Sequence, residues 1–303
     1  MNYTLHQLRI FLKVAELQSI TKASEELHLT QPAVSIQLKK LQDQFELPLT
    51  EVVGRQLYIT DFGKHMVDVS KRIISEADNI QFTIDQFKGL LSGEINISVV
   101  STGKYVIPYF LKSFMETYPG VTINIDVSNK NTVVKKLIKN ESDFSLVSVL
   151  PEGMDIQSVE LMENRLYFVG SGEIQKPPTR IKDLKNLRLI IREKGSATRL
   201  AMEGYLNSHQ IVPKQKMTLV SNEAVKQAVN AGIGYSIMPL IGLKNELANN
   251  SIKIYPMPDL PIVTNWNLVY NSGKKLTPAQ KELIHFIQSH KEEIMKEHFE
   301  WTV

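Results

Sequence analysis

Five polar clusters in the last two-thirds of the chain combine hydroxyls, amides and basic groups in a way that suits an anion. They are Ser101-Thr102-Gly103-Lys104, Ser128-Asn129, Ser148, Arg192-Glu193-Lys194-Gly195-Ser196-Ala197-Thr198-Arg199 and Ser221-Asn222-Glu223. Each follows or ends a strand-like run, and all but Ser148 lead into a helical pattern. Free backbone N–H groups at a helix start, with hydroxyls and a basic side chain beside them, hold negative charge. Ser101, Thr102, Lys104, Asn129, Ser148, Arg192, Ser196, Thr198 and Asn222 are therefore the candidate anion ligands. A competing reading stays open: Ser, Thr and Asn are ordinary helix caps and need no ligand.

The elements that must position these clusters alternate. INISVV (95–100), TINIDV (122–127) and DFSLVSV (143–149) read as strands, with helices over 103–117 and 131–140. LYFVG (166–170), RLIIR (188–192), MTLVS (217–221) and YSIM (235–238) form a second set, with helices from about 198 and over 222–231. A strand near 264–270 and a helix over 277–298 return to the first set. This pattern predicts two α/β lobes with mainly parallel sheets. Ligands of such sheets settle beyond the carboxyl ends of the strands, where the clusters lie.

The first sixty residues follow another rule. Leu5, Leu8, Phe11, Leu12 and Ala15 recur at helical spacing. Ser19-Ile20-Thr21 supplies caps for a short second helix carrying Ala23 and Leu27, and His28-Leu29 makes a turn. Thr30-Gln31 then caps a third helix with Pro32 in its first turn, where a missing N–H costs little. Val34, Leu38 and Leu41 continue it. Two short helices joined by a tight turn make a helix-turn-helix, whose later helix enters a DNA major groove.

Between the two regions, Thr60 can cap a long helix. Phe62, Met66, Val69, Ile73, Ala77, Ile80, Ile84 and Phe87 are spaced by three or four, nearly a heptad repeat. Gly89 can end it, and Leu90-Leu91-Ser92-Gly93 reads as a hinge. The stripe predicts a seam between two chains; packing on its own chain is the alternative.

The segment TKASEELHLTQPAVSIQLKKLQDQFELPL resembles the LysR family of bacterial transcription regulators. Thr21, Ala23, Leu27, Thr30, Gln31, Pro32, Ala33, Val34, Ser35, Leu38 and Leu41 sit in that family's register. In LTEVVGRQLYITDFG (49–63), Gly54, Arg55, Leu57, Thr60 and Gly63 match its wing. Thr50 and Val52 depart, standing where the family has Phe and Arg. VVSTGKYVIP, IREKGSATR and SNEAVKQAVNAGIGYSIM resemble the branch of RuBisCO-operon (CbbR-like) and sulfur-assimilation regulators.

The resemblance implies an α + α/β architecture in three parts. A winged helix-turn-helix over 1–60 is joined by a linker and dimerisation helix over 61–89 to an effector-binding domain over 90–303. That domain is of the periplasmic-binding-protein type (type 2), with lobe I about 93–161 and 266–303 and lobe II about 162–265. It implies that Thr30, Gln31, Pro32, Ser35 and Gln37 face the groove or its walls, and that Lys39 and Arg55 contact phosphates. It also implies promoter DNA, RNA polymerase and a small anionic metabolite as partners, a homodimer or homotetramer, and no cofactor.

Composition limits the rivals. Cysteine is absent, which removes disulfides, thiolate metal sites and cysteine nucleophiles. No apolar run approaches a membrane span, and the start does not read as a signal peptide, so a cytoplasmic protein is expected. The histidines at 6, 28, 65, 209, 285, 290 and 298 show no ligand spacing, and no phosphate loop or nucleophile elbow is present, which argues against an enzyme. A solute-binding protein would have no use for residues 1–89. A DNA-independent adaptor stays open, because residues 1–65 carry seven Lys/Arg against seven Asp/Glu, and DNA-binding domains are usually basic. The stretch from about Lys291 (KEEIMKEHFEWTV) is charged and amphipathic, with no role assigned.

Overall fold

Thr4 opens the first helix with a capping box: its hydroxyl accepts from Gln7 N, and Gln7 Oε1 accepts from Thr4 N. In this computed structural model, which describes residues 3–54, 56–87 and 91–302 (the side chains of 75, 78, 79 and 81–87 excepted), α1 spans Leu5–Leu17. Its buried face is Gln7, Leu8, Ile10, Phe11 and Val14. Leu8 and Phe11 of the expected stripe lie on it, whereas Leu5, in the first turn, is 44% exposed.

Ser19 caps α2 (Ile20–Glu26), and Thr30 caps α3 (Gln31–Gln42). Between them His28 takes a positive φ of 53°, which reverses the chain. Val34, Leu38 and Leu41 face Leu8, Phe11, Val14 and Ala23 in one core. β1 (Thr50–Val53) then pairs antiparallel with β2 (Gln56–Ile59), with Val53 opposite Gln56. Gly54, just after β1, takes a positive φ of 55°.

Thr60 donates to Pro48 O and accepts from Gly63 N, so it caps α4 (Asp61–Phe87). A Cβ at Gly63 would collide with the Leu49 carbonyl, so glycine is what lets the long helix lie against the wing. The 27 residues of α4 make a rod of about 40 Å. Phe62, Met66 and Ile73 pack on the core of their own chain, while Ile80 is 63% exposed. Gly89 and the side chains of Ile84 and Phe87 lie outside the described residues.

The chain divides into two compact units, Met1–Leu90 and Leu91–Val303. In the second, β3 (Ser92–Val100), α5 (Ile107–Thr117), β4 (Gly120–Ser128), α6 (Lys130–Ile138) and β5 (Phe144–Val147) follow in order. A single turn of 3-10 helix at Gly103–Tyr105 precedes α5, so the helix expected over 103–117 is broken at Val106. Next come β6 (Ile156–Ser171), β7 (Arg188–Arg192), α7 (Ala197–Ser208), β8 (Gln215–Leu219), α8 (Asn222–Asn230), β9 (Ser236–Pro239), α9 (Lys244–Ala248) and β10 (Ile252–Ile254). β11 (Ile262–Asn271) and α10 (Pro278–Phe299) complete it.

The main sheet has seven strands in the order β10-β6-β11-β5-β3-β4, with β9 also on β6. It is mixed rather than mainly parallel. β3 is parallel to β4 and β5, but β11 runs antiparallel to β5 and β6. The strand expected at 166–170 is the far end of β6, a 16-residue strand that pairs with β11 along its first part and with β9 and β10 along its last. The two crossing strands run in opposite directions because one carries the chain out of the first lobe and the other returns it. β11 bulges between Trp266 and Asn267.

Three apolar clusters fill this unit. One packs α5 and α10 on β3, β5 and β11, around Phe110, Phe114, Phe144, Trp266 and Phe286. The other two lie on opposite faces of the second lobe: Leu189, Ile191, Met202 and Tyr205 on one, Ile190, Val225, Val229 and Met238 on the other. The alternation of Leu189, Ile190 and Ile191 between them is the period-two register of a strand covered on both faces.

Candidate functional site

β3 and β7 end at one place, and the residues just after them meet. Arg192 closes β7 with its side chain 2% exposed. Its Nε and Nη2 donate to the two carboxylate oxygens of Glu193 at 2.8 and 2.9 Å, and Nη2 also donates to Ser101 Oγ at 3.2 Å. Asn222, the first residue of α8, donates from Nδ2 to the same Ser101 oxygen at 3.2 Å. Ser101 thus accepts twice, and its own proton is left to donate.

Two atoms in this cluster have no partner. Arg192 Nη1 and Asn222 Oδ1 are buried without a hydrogen bond. An unmet buried donor or acceptor costs about 1–3 kcal/mol, so a ligand that meets both is favoured by that release.

The hydroxyls nearby divide into caps and non-caps. Asn129 accepts from Thr132 N, so its carbonyl caps α6; Ser221 likewise caps α8. Thr102 and Ser196 hold N-cap positions, yet neither side chain caps. Both are buried, as are Ser148 and Thr198. Ser128 is tied to Asp126, which also accepts from Lys136 and Ser98; the Lys136 contact, foremost, holds the Asp126 carboxyl below its ordinary range. Lys104 is exposed, over the Tyr105 ring.

Contacts between the lobes, across the crevice expected beyond the strand ends, carry no sequence signal. Asn131 N donates to Gly195 O at 3.2 Å. Gly195 has φ +91°, and a Cβ there would strike the Asn131 side chain. Tyr105 OH donates to Glu223 at 3.4 Å. Glu193, as the counter-ion of Arg192, had a signal in its adjacency to that residue. Asn131 and Tyr105 had none, since only the fold brings them to Gly195 and Glu223.

In the first unit, Gln31, Pro32, Ile36, Lys39 and Lys40 are the exposed residues of α3. Ser35 and Gln37 are half-buried, and Gln37 Oε1 accepts from Gln7 Nε2 at 3.2 Å, tying it to α1. The Thr30 hydroxyl is occupied in capping. Ile36, 54% exposed, was not singled out; an apolar side chain on this face can meet a thymine methyl. Arg55 lies outside the described residues. Of the two wing departures, Val52 is 70% exposed, whereas the Thr50 N and Oγ1 both donate to Gln42 Oε1 and stitch the wing to α3.

A winged helix-turn-helix and, in the same chain, a two-lobed α/β unit with a buried polar cluster between its lobes define a DNA-binding regulator with an effector-binding domain. Residues 5–64 match the bacterial regulatory helix-turn-helix of the lysR family, and residues 88–292 match the LysR substrate binding domain. The chain belongs to the LysR family of DNA-binding transcription regulators. It is 34% identical over 296 residues to the transcriptional activator CmpR of Synechocystis, covering 97% of each chain. It is 33% identical to the RuBisCO operon transcriptional regulator of Acidithiobacillus ferrooxidans, covering 94% of this chain and 93% of that one.

Among solved structures, the regulatory domain of Synechocystis CcmR in complex with 2-PG is 30% identical, with a TM-score of 0.61, over 65% of this chain and 97% of that one. Full-length CbnR complexed with its target DNA shares the fold at 20% identity and a TM-score of 0.67, over 94% and 99%. Among the described residues, no helix is long and apolar enough to cross a membrane.

Proposed function

We propose that the crevice at Arg192 takes a small anionic metabolite, first of all a short phosphorylated acid, and that its occupancy controls the DNA-binding unit. The observation that carries this is the pair of buried, unpartnered atoms, Arg192 Nη1 and Asn222 Oδ1, on either side of Ser101. Nη1 donates two protons to an oxyanion; Asn222 Oδ1 accepts from a hydroxyl or a protonated phosphate oxygen. Ser101, Thr102, Ser148, Ser196 and Thr198 supply further hydroxyls, and Asn129 its amide N–H. The likeness to a regulatory domain in complex with 2-PG supports the ligand class.

The ligand touches lobe I through Ser101 and lobe II through Arg192, so it favours one angle between lobes over another. It moves that equilibrium only by its differential affinity for the two states. Lobe I comprises about 93–161 and 266–303, and lobe II about 162–265. Residues 1–60 read DNA, and 61–89 pair chains along the apolar stripe of α4, on which Ile80 is exposed. Paired dimers form the homotetramer that binds promoter DNA, and its rearrangement alters contact with RNA polymerase. On α3, Gln31, Pro32 and Ser35 approach base edges and Lys39 a phosphate, with Arg55 in the wing; Thr30 and Gln37 hold the helix in place for them. The protein acts in the cytoplasm and is not an enzyme.

The test is thermal denaturation of the full chain at low salt with 2-phosphoglycolate, 3-phosphoglycerate, phosphoenolpyruvate, inorganic phosphate, sulfate and sulfite. A ligand bound only by the folded state raises Tm. One phosphorylated acid raising Tm selectively supports the reading; a shift confined to the sulfur oxyanions, or none, refutes it.

A further inference from the structure

A second cavity of about 330 Å³ lies beside the crevice, and the stretch from Lys291 that the sequence left without a role builds one of its walls. Phe299, 1% exposed, anchors that stretch in the first lobe, edge-on to Tyr109 with centroids 5.2 Å apart and stacked near Phe110. Its neighbours His298 and Trp301 face the cavity beside Tyr105 and Tyr109. His298 and Tyr109 lie 4.9 Å apart, centroid to centroid. The opposite wall comes from the second lobe: Lys226 of α8 and Lys244 and Glu246 of α9.

The cations of this cavity differ in how they are occupied. Lys226 pairs with Glu223 at 3.1 Å and Glu246 at 3.0 Å, so its charge is met within the protein. Lys104 and Lys244 form no salt bridge among the described residues, although Glu223 of the second lobe feels the charge of Lys104. Each instead rests over an aromatic ring, Lys104 at 5.0 Å from the Tyr105 centroid and Lys244 at 5.4 Å from that of Trp301. Two unpaired ammonium groups and a wall of flat rings, in a volume at the low end of the roughly 300–1,000 Å³ of ligand sites, describe one kind of guest.

We infer that this cavity is a second ligand site, for a small organic anion carrying a flat ring, whose charge meets Lys104 and Lys244 and whose ring lies against Trp301 and Tyr109. It is distinct from the site at Arg192, for Arg192, Ser101 and Asn222 are not among its lining residues. Its walls also come from both lobes, so its occupant biases the same lobe equilibrium and couples to the first ligand. Two sources share this chemistry, nucleotides and aromatic carboxylates.

Tryptophan fluorescence tests it on the full chain. The chain has two tryptophans, and Trp266 is fully buried, so a ring stacking from solvent reports on Trp301. AMP and 4-hydroxybenzoate are the ring-bearing probes; inorganic phosphate and acetate are the ringless controls. Saturable quenching by AMP or by 4-hydroxybenzoate is expected, and which one quenches names the source. The quench should vanish in Trp301→Phe and weaken roughly tenfold in Lys244→Ala, the loss of one charge-assisted contact. It should persist in Ser101→Ala, which disables only the first site. Quenching by neither ring-bearing probe, equal quenching by the ringless anions, or loss in Ser101→Ala would overturn the second site. None of these bears on the Tm response to phosphorylated acids, so the two sites fail separately.

Discussion

Arg192 Nη2 and Ser101 Oγ are 3.2 Å apart, though 91 residues separate them in sequence. One belongs to the strand that ends the second lobe's parallel pair, the other to the turn that follows β3. Their contact joins the two lobes at the site proposed for the anion. Arg192→Gln should weaken ligand binding by about 1.5–3 kcal/mol, roughly ten- to a hundredfold, and leave DNA affinity without ligand unchanged. Titration calorimetry and a gel-shift assay read the two quantities; equal losses in both would mean a folding defect.

Gly195 lies where the lobes touch, its carbonyl accepting from Asn131 N. Its positive φ strains any other residue there, and a Cβ would press on the Asn131 side chain. Gly195→Ala should hold the crevice open and weaken the ligand at least about tenfold, whereas Asn131→Ala should cost less. Small-angle scattering with saturating ligand checks this: the wild-type effector-binding unit contracts and the Gly195→Ala unit does not.

Much of this was legible, and for a physical reason. Strand ends and helix starts are local signals, so Ser101, Arg192, Ser196 and Asn222 could be singled out from apolar runs alone. The sequence could not tell cap from ligand. Asn129 and Thr102 look alike as capping residues, and only coordinates show that one caps and the other does not. The antiparallel course of β6 and β11 was hidden because pairing is non-local. The stripe of α4 was ambiguous: Phe62, Met66 and Ile73, which pack on their own chain, and Ile80, which is exposed, share one periodicity.

The DNA-binding unit carries its own prediction. Residues 1–65 carry seven Lys/Arg against seven Asp/Glu, and Val52 stands where the resemblance puts Arg. Each phosphate contact adds about −0.9 to the slope of log affinity against log salt. The slope should therefore be shallow, and Lys39→Ala should reduce it by about one further unit. Fluorescence anisotropy across a salt series measures it, and a slope as steep as that of strongly basic regulators would contradict the reading.

Stability should respond locally to pH at His209. Its Nδ1 approaches Tyr205 O at 2.8 Å and its Nε2 approaches Asp259 at 2.9 Å, and the backbone carbonyl foremost, with the carboxylate, raises its pKa above 6.5. A raised folded pKa gives stability that is complete below pH 6.5 and is lost as pH rises through the folded value. Tm should accordingly fall as pH rises from 6 toward 8 by more in the wild type than in His209→Gln. Identical pH profiles for the two would remove His209 from the account.

The most direct test is footprinting on a duplex from upstream of the gene that encodes this chain. Wild type, Ser101→Ala and Arg192→Gln are compared with and without 2-phosphoglycolate. All three should protect the same sites without ligand, and only the wild type should change its pattern when ligand is added. An unchanged wild-type pattern, or the same change in Arg192→Gln, would contradict control of DNA binding through this crevice.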